Sequence, residues 1–483
     1  MDFILSVLLL GAVSSGGPLP FWMTSGQYGL MPEHSGALAL VQAGTQYDAS
    51  KTLQWKWGAS LAANLDAAPT ADFNLMVDEL YGSLKWKALS LDLGMKRTAL
   101  DYYGAVRSLG SLSVTGGNVI WSGNARTMPG YTLTLHPVAV PGTGRHVWFY
   151  GSWGDYRTMD DRYVQGALVH RADLGLRFDI TRRLGLRLGF EHDALWGGTS
   201  PNYGNLVTAA NYFRMITCQP ASSEGPVNDQ NNVIGDQLGR RLVRIDWQGD
   251  GWRLALQRDV PFDDASSMCF RNFPDGINTL WFGFDDKDRW VSDVVYEFQY
   301  TRYQSGPINE STRESESQGR SPFEQFRYWL SIRDGGDNYF NNWEYRSGWT
   351  HFGHTVGNPL FFPEGKRDGS WTAKRVVLGV ENNRVRAHHL GVSGKLFRKY
   401  PYKLMLTYSE NYGLFKARYA GKNPWNKEWG TVKETPVPQV SGGFMGEIPL
   451  RHVTLTYGLY ADKGVLLPDA MGASLGLRYQ FGR

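Results

Sequence analysis

Apolar and polar side chains alternate every second residue through this chain from end to end. Leu53, Trp55, Trp57, Ala59 and Leu61 alternate with Gln54, Lys56, Gly58 and Ser60. Leu89, Leu91, Leu93 and Met95 alternate with Ser90, Asp92, Gly94 and Lys96, and Leu184, Leu186, Leu188 and Phe190 with Gly185, Arg187, Gly189 and Glu191. The last segment sets Ala473, Leu475, Leu477, Tyr479 and Phe481 against Ser474, Gly476, Arg478 and Gln480. Successive side chains of a strand face opposite sides, so each segment has one greasy face and one wet face. Amphipathic helical patterns are scarce. The chain reads as all-β.

The connections fall into two length classes. Thr181–Arg183, Lys399–Pro401 and Pro449–His452 are short, whereas Gly306–Asn342 and Tyr412–Pro436 are long. Short turns on one side and long loops on the other suit a transmembrane outer-membrane β-barrel, and a soluble sandwich mixes loop lengths at both ends. Two strands of about 11 residues with one short turn and one long loop use roughly 50 residues, which predicts about 16–18 antiparallel strands. The aromatic end of the last strand, Tyr479 and Phe481, resembles the terminal strand by which such barrels are recognised for insertion. If Phe481 ends at the periplasm, parity puts Pro449–His452 and Lys399–Pro401 inside and 412–436 and 461–471 outside; Thr181–Arg183, being short, is placed inside as well. No linker or repeat divides 18–483, which reads as a single barrel domain. Residues 1–17 hold a short apolar stretch followed by small residues, without a basic start. They read either as an export leader or as a buried strand.

Composition narrows the function. Lys and Arg number 50 against 46 Asp and Glu, for a net charge of +4; that balance gives no reason to expect nucleic acid as a partner. Two cysteines, Cys218 and Cys269, leave no C-x-x-C pair, and a bond between them in an oxidising periplasm is an open alternative. Mean hydropathy is −0.37, and no apolar run of roughly 18 residues marks a membrane helix. Alternating barrel strands average to polar, so this value does not exclude a barrel. Gly is frequent, 57 of 483, and Trp numbers 18. Small residues on wet faces leave room inside a barrel, and Trp suits membrane interfaces and loops.

Catalytic patterns are weak. Gly472-Ala473-Ser474-Leu475-Gly476 lies within an alternating strand, with no elbow to expose a nucleophile. His388 and His389 are neighbours on a strand, so they point to opposite faces and cannot share a metal there. The paired aspartates 160–161, 263–264 and 285–286 fit polar turns. No enzyme activity, metal or cofactor is expected. Sugar binding has better support. Asp337, Asn338, Tyr339, Asn342 and Trp343 combine rings that can stack on a pyranose with groups that can pair with vicinal hydroxyls. Trp196, Trp425 and Trp429 offer the same chemistry in other loops; an aromatic girdle with Asx turns is the alternative. On the wet strand faces, Arg177, Arg187 and Glu191 are candidates to line a lumen.

The chain resembles the Wzi capsule-assembly family of Gram-negative outer membranes through blocks spread over most of its length. They include Asp78-Glu79-Leu80-Tyr81 leading to Gly94-x-Lys96, Ser122-Gly123-Asn124-Ala125-Arg126, Gly189-Phe190-Glu191-His192 and Thr301-Arg302-Tyr303-Gln304-Ser305-Gly306. Asp337-Asn338-Tyr339-Phe340-Asn341-Asn342 is the longest. Gly357-Asn358-Pro359-Leu360, Asn382-Asn383-Arg384-Val385, His388-His389-Leu390-Gly391 and Ser409-Glu410-Asn411-Tyr412-Gly413 follow. The resemblance implies an outer-membrane barrel of about 18 strands, loops facing the cell exterior, that holds capsular polysaccharide and catalyses nothing. Its expected partners are that polysaccharide, outer-membrane lipid and the insertion machinery, and a monomer is expected. The resemblance transfers no residue-level sugar site. A channel for oligosaccharides or other polar solutes is the alternative function.

Overall fold

The structure is a computed structural model that describes residues 3–67, 72–231, 233–263, 267, 270–306, 321, 324, 337–363, 379–414 and 435–481. Its main feature is one closed, antiparallel 18-stranded sheet. The first half comprises β1 (Phe3–Ser14), β2 (Gly36–Thr45), β3 (Leu53–Asp66), β4 (Asp72–Trp86), β5 (Leu89–Met95), β6 (Pro129–Ala139), β7 (Val147–Arg157), β8 (Leu168–Asp179) and β9 (Leu184–Trp196). The second comprises β10 (Asp236–Gln248), β11 (Trp252–Asp263), β12 (Gly276–Phe284), β13 (Asp293–Tyr300), β14 (Val385–Leu396), β15 (Tyr400–Asn411), β16 (Val437–Pro449), β17 (Val453–Gly464) and β18 (Ala470–Phe481). Each strand pairs with its sequence neighbour, and β1 pairs with β18 to close the ring.

The apolar stretch at the start of the chain forms part of the wall. Phe3–Ser14 is the closing strand, with Leu5 opposite Phe481 and Ser14 opposite Gly472. Its run of leucines has a local cause. Leu9 and Val13 point outward and are exposed, while Leu8 and Leu10 pack inward against Met23, Leu30, Leu38 and Leu40. Both faces of β1 meet apolar surroundings, so the usual polar alternate is missing.

Elsewhere the alternation holds. Leu53, Trp55, Leu61, Leu89, Leu93, Leu188, Phe190, Leu475 and Leu477 are exposed on the outer surface, as lipid-facing strands require. Trp86, Trp247, Trp290 and Phe397 sit exposed beside the short turns, forming an aromatic rim. The short connections 87–88, 180–183, 249–251, 397–399 and 450–452 gather at one end. The long segments 15–35, 96–128, 197–235, 301–384 and 412–436 leave from the other. His388 and His389 do face opposite sides: His388 meets Tyr296 Oη at 2.8 Å on the outer wall, and His389 is buried in the lumen.

Candidate functional site

Three of the long segments fold into the barrel. In 96–128, the backbone N–H of Val114 donates to Glu297 Oε2 on β13 at 2.6 Å, and Lys403 Nζ on β15 donates to Ser111 O at 3.2 Å. Farther along, Asn118 Nδ2 donates to Glu191 Oε2 on β9 at 2.8 Å and the Val119 N–H to Asp259 Oδ2 on β11 at 2.9 Å. The segment thus bonds to strands around much of the ring. Close approach demands glycine opposite it: a Cβ on Gly391 of β14 would lie 2.2 Å from Leu112 O.

Wall charges hold this crossing in place. Glu191 accepts from Arg171 Nη2 at 3.0 Å and Arg240 Nε at 2.8 Å, and Arg240 Nη1 reaches Asp259 at 3.0 Å. Arg240 also donates to Gly117 O at 3.0 Å. Two acids and two arginines neutralise one another, and the crossing segment adds the Asn118 amide to Glu191, the Val119 N–H to Asp259 and the Gly117 carbonyl to Arg240. Charge pairing with added hydrogen bonds offsets part of the cost of burying the ions.

The segment 15–35 joins the same assembly through a side-chain relay. Trp22 Nε1 donates to Thr407 Oγ1 at 3.1 Å. Thr407 and His389 Nδ1 are 2.8 Å apart, and His389 Nε2 is 2.8 Å from Leu112 O. A carbonyl only accepts, so His389 carries its proton on Nε2 and accepts from Thr407 on Nδ1. From the third segment, Trp349, 1 % exposed, donates Nε1–H to Ile120 O at 2.7 Å. Asn358 N–H donates to Val119 O at 3.0 Å, and Asn358 Nδ2 to Gln299 Oε1 on β13 at 2.8 Å. The hydrophobic core of this protein lies inside its barrel.

Most of the run read as a sugar platform belongs to that core. Tyr339 is 1 % exposed and donates Oη–H to Asp275 Oδ2 at 2.9 Å; burial pushes the Asp275 carboxyl up to about 7. Asn338 Oδ1 accepts from Asn341 Nδ2 at 3.1 Å and Asn383 Nδ2 at 2.7 Å. Asp337 accepts from the Ser305 hydroxyl. Asn342 Oδ1 forms an Asx turn with the N–H groups of Glu344 and Tyr345. Trp196, 5 % exposed, packs on Tyr212 at 5.1 Å. Trp425 and Trp429 lie outside the described residues, as does Cys269; Cys218 is a free thiol.

Trp343 differs. It is 40 % exposed, with the Arg346 guanidinium 4.8 Å from its ring centre. The same guanidinium lies 4.5 Å from the Tyr163 ring, and Tyr163 Oη accepts from Asn202 Nδ2 at 3.0 Å. Three connections at the long-loop end therefore bring two rings, a guanidinium and an amide together. The sequence named only Trp343 of this group. Tyr163, Asn202 and Arg346 are distant from one another in sequence or unremarkable in it, and the turn at Asn342 that aims Trp343 outward is the one local clue. The lumen candidates lie inward: Glu191 holds the crossing segment, and Arg177 and Arg187 line a cavity at the short-turn end.

One buried histidine contributes to how the long-loop core responds to acid. His351 Nε2 accepts from the Met159 N–H at 3.1 Å, and its Nδ1–H donates to Arg126 O at 3.0 Å. Burial pushes its pKa down to about 4. A histidine lowered in the folded state contributes stability that is present above its ordinary value of about 6.5 and is lost as pH falls toward 4. Exchange protection of the Met159 amide is expected to drop across that window in the wild type and to stay flat in His351→Gln. Equal slopes for the two proteins would remove the histidine from the account.

No protein-family model matches the chain, and no curated protein matches it. Among solved structures, the barrel superposes on Escherichia coli Wzi with a TM-score of 0.55 at 13 % identity, covering 99 % of this chain and 85 % of that one. That protein is described as an outer-membrane protein involved in group 1 capsule assembly and as a carbohydrate-binding β-barrel. This chain has an outer-membrane barrel fold. Pseudomonas aeruginosa OprD covers 99 % of this chain and 95 % of its own at 9 % identity and a TM-score of 0.46. Acinetobacter baumannii OccAB4 covers 99 % and 98 % at 9 % identity and a TM-score of 0.44. At these identities the likeness is one of fold.

Proposed function

We propose that this protein sits in a Gram-negative outer membrane with its long loops outside, binds capsular polysaccharide there and attaches or assembles the capsule without catalysis. The observation that carries this reading is a lumen filled by inward segments together with an open aromatic–guanidinium cluster at the long-loop end. A filled barrel favours holding a ligand over passing it. Trp343 and Tyr163 offer stacking faces, and Arg346 and Asn202 offer donors to hydroxyls. Each contact is weak, and a polymer gains strength by engaging several copies of its repeat.

Trp343→Ala is expected to weaken binding of the purified polysaccharide about 5- to 150-fold, since truncating a central aromatic contact costs roughly 1–3 kcal/mol. Titration of the protein in detergent, with Trp290→Ala at the opposite rim as control, measures this. Equal affinity for both variants and the wild type would exclude the cluster. The channel reading has one observation in its favour: cavities of about 470 and 720 Å3 flank the crossing segment. It predicts a large, steady conductance from the wild-type protein.

A further inference from the structure

The outer wall carries two arginines on a face that is otherwise apolar along the strands. On β10, β11 and β12 the exposed Val243, Leu256 and Leu280 mark the outward face. Arg241 stands two residues from Val243, Arg258 two from Leu256 and Asn278 two from Leu280, so all three share that face. Arg241 is opposite Val260 and Arg258 opposite Val243, which makes the arginines diagonal neighbours about 7–8 Å apart. Among the described residues, no outward position of these three strands is Asp or Glu. Both side chains reach the connection at the long-loop end. Arg241 Nη2 donates to Asn272 Oδ1 at 3.0 Å, and Arg258 Nη2 to the carbonyls of Pro274 and Asp275, each at 3.0 Å. Arg258 Nη1 donates to Asn278 Oδ1 at 2.9 Å. The Asp275 carboxyl is turned to Tyr303, Gln304 and Tyr339, so the hydrogen bonds of Arg258 end on neutral oxygens. A guanidinium has more N–H donors than these bonds use. Phe270 and Phe273, each 71 % exposed, flank the pair: their ring centres lie 4.0 Å from the Arg241 guanidinium and 5.8 Å from that of Arg258. Between them Arg271 and Asn272 are buried, so the connection projects its two rings.

A cation on a lipid-facing wall is costly within the hydrocarbon, so its stem lies along the wall and its head rises to the interface. Two cations side by side repel unless an anion lies between them. Phosphate is the anion that a lipid surface supplies, and its oxygens match the guanidinium fork. A phosphomonoester carries about −1.5 to −2 charges at neutral pH, which suits two arginines better than a singly charged phosphodiester. Exposed rings beside such a head group sit at the boundary between polar heads and acyl chains. We propose that Arg241 and Arg258 bind the phosphomonoester of a phosphorylated glycolipid in the leaflet at the long-loop end, with Phe270 and Phe273 against its acyl chains. The site lies on the outside of the wall, away from the Trp343 cluster. It shares with the capsule reading only the placement of the long loops outside the cell, and it is independent of what those loops hold.

The test is native mass spectrometry of the full chain in neutral detergent with three lipids: lipid A bearing its phosphates, the same lipid with the phosphates removed, and phosphatidylglycerol. Phosphorylated lipid A is expected to bind about tenfold or more tightly than either of the others. The double variant Arg241→Gln/Arg258→Gln should lose that preference, and Arg183→Gln at the opposite end should keep it. Unchanged migration of the unboiled barrel on a gel checks folding. If the double variant does not fold, the wild-type preference among the three lipids decides by itself. Equal affinity for phosphorylated and phosphate-free lipid A overturns the proposal, as does a preference that persists in the folded double variant. Phosphatidylglycerol bound as tightly as phosphorylated lipid A shows a surface for any anionic lipid, which also overturns it. None of the probes is a capsular polymer, so a negative result here leaves the capsule reading standing. Conversely, a Trp343→Ala protein that binds polysaccharide normally removes the loop cluster and leaves this site untouched.

Discussion

Arg240→Ala is expected to turn a barrel that passes no large steady current into one that conducts in planar bilayers. Arg240 neutralises Glu191 and Asp259 at once and bonds to the Gly117 carbonyl. Removing it leaves two carboxylates short of charge inside the barrel, where loss of one partner of a buried pair costs about 3–5 kcal/mol. The wall strands keep their ladders, so the loss falls on the crossing segment at 117–119. Gly391→Val attacks the same segment by volume, because its Cβ would stand 2.2 Å from Leu112 O. Both variants should raise conductance while migrating as folded barrels. A wild-type protein that already conducts as strongly as they do would show that 96–128 does not close the lumen, and the channel function would then be preferred.

The second large effect concerns the closing strand. A chain beginning at Ser15 is expected not to form a folded barrel in detergent or bilayer. Without Phe3–Ser14, the edges of β2 and β18 lose their partners, and each unpaired backbone group facing hydrocarbon costs several kcal/mol. The loss is cooperative because closure protects every other strand. Failure to recover a species whose gel migration shifts on heating is the expected readout. Normal folding of the truncated chain would contradict the closing role of Phe3–Ser14.

The wall was legible because lipid and lumen impose opposite demands on alternate residues. Leu89 to Lys96 and Ala473 to Phe481 carry that pattern unbroken, and loop-length parity then ordered the ends. β1 escaped it for a physical reason: its inner face meets Met23 and Leu30, so Leu8 and Leu10 replace the polar residues that mark a strand. The inward segments escaped for another. Residues 96–128 have no period, and their place is set by distant wall groups such as Glu297, Asp259 and His389. Asp337 to Trp343 shows the limit for the site. Amides beside aromatic rings can bind sugar hydroxyls or one another, and Asn338, Asn341 and Asn383 chose one another. Only the fold reveals that Trp343 faces out and that Tyr163 and Asn202 arrive beside it.

The most direct test of the account compares cell-associated with shed polysaccharide in strains carrying the wild-type gene, a deletion, or Trp343→Ala. The account predicts that total polymer stays the same while deletion moves most of it into the medium, and that Trp343→Ala moves part of it with normal barrel insertion. Polymer that remains on the deleted cells at the wild-type level would contradict it.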